Sequence, residues 1–102
     1  MLHQIAHEGQ TNAVRYDSNG VMVLTAGTDK MVKLWNATEG VLKKKFVGGT
    51  QSMMDCAFSA DGRFVAGAGN DRCIRLWKVN KPERPTVRMR TYFATLDSSL
   101  LV

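Results

Sequence analysis

Few residues in this chain have the type and spacing to do chemistry. His3 and His7 stand four apart, a spacing that brings two metal ligands together on a helix. Here the surroundings are patterned as strand and loop, without a nearby cysteine or paired carboxylate, so no metal and no cofactor is expected. The two cysteines, Cys56 and Cys73, lack C-x-x-C spacing and are too few for a disulfide framework. Both fall in apolar stretches and read as small, buried, reduced core residues of a cytoplasmic protein. Gly48-Gly49 and Gly67-Ala68-Gly69 lack the lysine and following helix of a phosphate loop. Asn36-Ala37-Thr38 is formally a glycosylation sequon, set aside because no secretory signal pattern opens the sequence.

Charge is the remaining chemical signal. Fourteen Lys and Arg against nine Asp and Glu give +5, and Arg72, Arg75, Lys78, Lys81, Arg84, Arg88 and Arg90 are opposed only by Glu83 within their stretch. Such a run could neutralise the phosphates of nucleic acid or of anionic lipid, which makes a basic nucleic-acid- or membrane-binding module the rival reading. The plainer reading is a solvated face, because no aromatic platform interleaves the cluster as single-strand binders require. Nucleic acid is therefore not the expected partner. With 102 residues, 44% of them apolar, the chain suits one small soluble domain. It holds no apolar run near the roughly 18 to 20 residues of a membrane span.

The elements that position these residues come from an internal repeat. Trp35 and Trp77 lie 42 residues apart, and that offset superposes 12–36 on 54–78 without a gap. Tyr16 meets Phe58, Gly20 meets Gly62, Val23 meets Val65, Ala26-Gly27 meets Ala68-Gly69, and Asp29 meets Asp71. Leu34-Trp35 meets Leu76-Trp77, while Lys30 and Lys33 meet Arg72 and Arg75. Alternating apolar residues predict antiparallel strands near 11–16, 21–26, 31–35 and 41–46, then 53–58, 63–68 and 73–77. Asn19-Gly20 and Asp61-Gly62 are expected to supply the positive φ of the tight turns. A further strand is expected at 2–5, and the second unit's outer strand within 86–93.

Four strands per roughly 40 residues, with the runs Asp29-Lys-Met-Val-Lys-Leu-Trp35 and Asp71-Arg-Cys-Ile-Arg-Leu-Trp77, resemble the WD40-repeat β-propeller family over about residues 2–80. The resemblance implies an all-β fold of two four-stranded antiparallel blades. Residues 1–6 would belong to a preceding blade, 7–47 to the first repeat, 48–80 to the second, and 81–102 to a linker and atypical tail. It also implies a structural tetrad of His7, Thr25, Asp29 and Trp35, in which hydroxyl, imidazole and carboxylate satisfy the buried indole and one another. In the second unit Asp71 and Trp77 remain, but Gly49 and Gly67 stand where histidine and the hydroxyl would be. The tetrad's Ser/His/Asp-like composition would lie buried, so no enzymatic activity is expected. Ala6-His-Glu-Gly9, Asn12-Ala-Val-Arg15 and 27–36 are further similar to the propellers of the autophagy-related protein 16-like family. That similarity implies a cytoplasmic scaffold in autophagosome assembly.

Propellers bind partners through loops and strand entrances at one rim. By resemblance the contact positions are Gln10, Asn12 and Thr28 in the first blade and Ser52, Met54 and Asn70 in the second, with other proteins or peptides as partners. Closed rings use about four or more blades, so two blades imply a fragment, a truncated product or a chain completed by further blades or self-association. Lys43-Lys-Lys45 fits a charged outer strand that resists edge pairing. Residues 97–102 have no counterpart in the repeats and are expected to be poorly ordered.

Overall fold

The alternation of apolar and polar residues resolves into eight strands in a computed structural model, which describes residues 7–90. They are β1 (Thr11–Tyr16), β2 (Met22–Gly27), β3 (Val32–Asn36), β4 (Val41–Phe46), β5 (Met53–Phe58), β6 (Phe64–Gly69), β7 (Cys73–Lys78) and β8 (Val87–Arg90). They form two four-stranded antiparallel sheets, ordered β1-β2-β3-β4 and β5-β6-β7-β8, with no helix among the described residues. The expected strand at 2–5 and the tail at 97–102 lie outside the described residues.

Register carries the repeat into space. Val23 pairs with Trp35 and Leu24 with Leu34 in the first sheet, as Val65 pairs with Trp77 and Ala66 with Leu76 in the second. Successive strand residues face opposite sides. Leu24, Ala26, Val32 and Leu34 thus share one face of the first sheet, and they bury against Met53, Cys56, Val65 and Trp77 of the second. Phe46 closes this core, its ring 5.7 Å from that of Trp77.

The hairpin turns differ from expectation in one respect. Gly20 and Gly62 have φ of 70° and 74°, but Asn19 and Asp61 do not share the left-handed region. The loops are longer than a two-residue turn: Gly20 N–H donates to the Asp17 carbonyl at 3.1 Å, and Asp17 N–H to the Met22 carbonyl at 3.0 Å. A turn of this length needs positive φ only at its closing residue. The Asp17 carboxylate completes it by accepting the amides of Val21 and Met22.

One correction concerns β7, and a second finding the segment after it. Arg75 does not belong to a solvated face; it is 1% exposed, because alternation along β7 turns it to the same inward side as Cys73 and Trp77. The proline-bearing stretch after Asn80 is hydrogen-bonded to both sheets. Val47 N–H donates to the Pro82 carbonyl at 2.9 Å, and Thr86 N–H to the Leu76 carbonyl at 2.7 Å, which delivers β8 to the edge of β7.

Candidate functional site

A buried relay runs through the first sheet. Trp35 Nε1–H donates to Thr25 Oγ1 at 3.0 Å, and Thr25 Oγ1 lies 2.7 Å from His7 Nε2. His7 Nδ1 lies 2.8 Å from Asp29 Oδ1. One tautomer satisfies every link: the threonine hydroxyl donates to Nε2 while Nδ1–H donates to the carboxylate. Gly27 makes room for the imidazole, since a Cβ there would fall 2.3 Å from His7 Cγ. Asp29 also accepts the Met31 amide at 3.2 Å, bracing the β2–β3 turn. Burial raises the Asp29 carboxyl, but the His7 hydrogen bond, the charge of that imidazole when it is protonated, Lys33 and the Met31 amide together hold it below its ordinary value.

Hydroxyl, imidazole and carboxylate in line resemble a nucleophile with its base and orienting acid. The Thr25 oxygen, however, already accepts the indole N–H, and both Thr25 and His7 are buried. Such an arrangement fixes side chains; it offers no reacting atom to a solute.

The second sheet solves the same problem differently. Trp77 Nε1–H donates to the Val47 carbonyl at 2.9 Å, across the boundary between the sheets. Asp71 Oδ2 accepts Arg75 Nη2 and Thr50 Oγ1, each at 2.6 Å, and Oδ1 accepts the Cys73 amide at 3.1 Å. The Arg75 hydrogen bond above all, then Thr50, Cys73 and the Arg75 charge, outweigh burial and take Asp71 down to about 2. The missing histidine and hydroxyl have steric reasons. A Cβ at Gly49 would lie 2.3 Å from the Lys30 carbonyl oxygen, and one at Gly67 would lie 3.0 Å from Val32 Cγ2 and 3.1 Å from Trp77 Cζ3, besides 2.4 Å from the flexible Met53 tip.

The six contact positions named from the sequence gather at one end of the sheets. Thr28 N–H donates to the Gln10 carbonyl at 3.0 Å, and Asn70 N–H to the Ser52 carbonyl at 2.9 Å. The Thr28 hydroxyl accepts the Gln10 amide and donates to the Glu8 carbonyl. Asn12 Nδ2 bridges the sheets, lying 3.3 Å from Ser52 Oγ, 2.9 Å from the Met53 carbonyl and 3.5 Å from Met54 Sδ. Gln10 and Asn70 are exposed, whereas Asn12, Thr28, Ser52 and Met54 are half-buried. The end is therefore a framework of bound polar groups with Gln10 and Asn70 projecting from it.

One bridging pair escaped the sequence. Arg15 Nη2 meets the buried Asp55 Oδ1 at 2.9 Å, and the same oxygen accepts the Cys56 amide. A carboxylate inside the apolar run Met53-Met-Asp-Cys-Ala-Phe58 was the available signal, because a buried carboxylate needs a cation or several donors. Beside it, burial first and the Asp55 charge second push the Cys56 thiol up to about 12, against a smaller opposing effect of Arg15.

Comparison with known proteins bears on what such a framework is. The profile of the family described as "WD domain, G-beta repeat" matches residues 1–36 and 40–78. WD repeat domain-containing protein 83 of Homo sapiens is 39% identical over 54 residues, covering 53% of this chain and 17% of that protein. Its Xenopus laevis counterpart is 38% identical over 55 residues, covering 54% and 18%. Autophagy-related protein 16 of Arabidopsis thaliana is 32% identical over 60 residues, covering 59% and 12%. The chain thus spans less than a fifth of the length of these relatives.

Proposed function

The chain belongs to the WD40-repeat family, and from that premise we propose that it is a non-catalytic scaffold for protein–protein contacts, working through the end that carries Gln10 and Asn70. The supporting observation is the Asn12 bridge to Ser52, the Met53 carbonyl and Met54, which locks the two sheets at that end into one surface. Rigid sheets then hold the projecting side chains at little ordering cost on binding. Free, buried Cys56 and Cys73 suit a cytoplasmic setting. Further blades, or a second copy, are the natural cover for Val87 and Met89, exposed at the edge of the second sheet.

The test is site-specific photo-crosslinking in cells, with the crosslinker at Asn70 and, as control, at the exposed Thr38 in the β3–β4 turn. A discrete protein adduct at Asn70 that weakens on Gln10→Ala is expected. Equal adduct patterns at Asn70 and Thr38 would contradict the proposal.

The finer proposal, that this scaffold serves autophagosome assembly, rests on the 32% identity over 60 residues to autophagy-related protein 16 of Arabidopsis thaliana and on the resemblance of Ala6-His-Glu-Gly9, Asn12-Ala-Val-Arg15 and 27–36 to that family. Recruitment of the tagged chain to forming autophagosomes on starvation is expected, and an unchanged diffuse distribution would contradict it.

A further inference from the structure

At the opposite end of the sheets, a cleft of about 520 Å³ opens between the β1–β2 and β5–β6 turns. Met22, Leu34, Phe58 and Val79 line it with apolar surface, and Tyr16, 65% exposed, stands at its lip. At Val79 the cleft meets a second groove of about 560 Å³, bounded by Lys44, Arg63 and Lys78. Lys78 in turn borders a third hollow of about 350 Å³ with Lys81, Arg84 and Thr86. No carboxylate lines either of the two basic hollows.

Lys44, Lys78, Lys81 and Arg84 make no ion pair among the described residues, and Arg63 has only a loose one, 3.8 Å from Asp61. Uncompensated like charges collected along one groove raise its potential for anions. Their backbone is fixed beforehand: Val79 N–H donates to the Arg63 carbonyl, Lys81 N–H to the Lys78 carbonyl and Val47 N–H to the Pro82 carbonyl, each at 2.9 Å. The apolar cleft carries Asp17 and Asp61 on its rim, already accepting backbone amides. Charge therefore runs in one direction, from carboxylates at the cleft to cations beyond Val79.

We propose that this end is a second docking surface, for an extended acidic protein segment that sets one apolar side chain into the cleft and lays its carboxylates along Lys44, Lys78, Lys81 and Arg84. The rim carboxylates orient such a segment by repelling its acidic part from the cleft. A membrane or nucleic-acid backbone would engage the cations and leave the recessed apolar cleft empty, which is why the peptide is the better fit. The surface is independent of the Gln10 and Asn70 end.

The experiment is fluorescence anisotropy with the full chain and a labelled synthetic peptide of one leucine followed by four glutamates. Salt-sensitive binding is expected, weakened about tenfold by Lys78→Glu and severalfold by Tyr16→Ala or by glycine in place of the leucine, with Gln10→Ala without effect. Both side chains are exposed, and an unchanged near-ultraviolet spectrum verifies the fold of each variant. Absence of binding, or binding indifferent to the leucine and to Tyr16, would overturn the proposal. So would capture by phosphatidylserine vesicles that competes with the peptide and is lost in Lys78→Glu alone.

Discussion

Lys33 and Arg75 hold the same place in the repeat, each four residues after an aspartate, and each reaches back to it: Lys33 Nζ is 3.4 Å from Asp29 and Arg75 Nη2 2.6 Å from Asp71. In the first sheet histidine also serves the aspartate; in the second, arginine and Thr50 do that work. Because the folded Asp71 titrates at about 2 rather than 3.8, the charged carboxylate favours the folded state. Its stabilisation, roughly 2 kcal/mol, is complete above the unfolded value and is lost as pH falls through the folded one. Thermal melts should hold steady down to about pH 4 and drop toward pH 2, with a shallower drop in Asp71→Asn; an equal drop in that variant would refute the assignment. Gly67 supplies a second residue-scale check. Restoring a hydroxyl there with Gly67→Thr should destabilise by about 1–3 kcal/mol, since its Cβ would meet Met53, Val32 and Trp77. A gain in stability on urea unfolding would show that the core can yield.

At the scale of elements, the strands were legible because period-2 alternation and the 42-residue offset agree over the same positions. Observed bounds lie within about a residue of those expected, since inward and outward residues are distinct wherever a sheet face is buried. The His7, Thr25, Asp29 and Trp35 relay was foreseeable from resemblance, and its links are all short. The burial of Arg75 was not legible, because a charged residue on a strand gives the same pattern whether water or a partner faces it; Asp55 inside an apolar run signalled a buried carboxylate in need of a partner, but not that Arg15 of the other sheet supplies it. The docking of 79–86 on Val47 was hidden for a similar reason: backbone hydrogen bonds leave no trace in side-chain pattern. The β2–β3 and β6–β7 turns carry one more feature, φ of 73° at Lys30 and 63° at Arg72. A non-glycine residue there costs about 1 kcal/mol, less for asparagine. Lys30→Asn should raise the urea midpoint by a few tenths to about 1 kcal/mol equivalent. A lowered midpoint would mean that Lys30 makes compensating contacts.

At the scale of the molecule, the repeat matches the two sheets face by face. Ala66, Ala68, Ile74 and Leu76 correspond to Leu24, Ala26, Val32 and Leu34, which the second sheet covers. On the matching face of the second sheet Ala66 and Ala68 are fully buried and Ile74 and Leu76 half-buried, while Val87 and Met89 at its edge remain 42% and 52% exposed. A blade whose neighbour is present buries this face, so stacking supplies much of such a unit's stability. Both proposed docking surfaces depend on the stacking too, because the Asn12 bridge and the apolar cleft exist only while the sheets keep their registry. The most direct test follows tryptophan near-ultraviolet circular dichroism and far-ultraviolet strand signal together through thermal unfolding. Trp35 sits inside the first sheet's relay and Trp77 at the boundary, bonded to Val47. Stacked sheets acting as one scaffold should show structured tryptophan bands that vanish in a single transition coincident with the strand signal. A featureless near-ultraviolet spectrum beside an intact strand signal, or two separated transitions, would contradict the account.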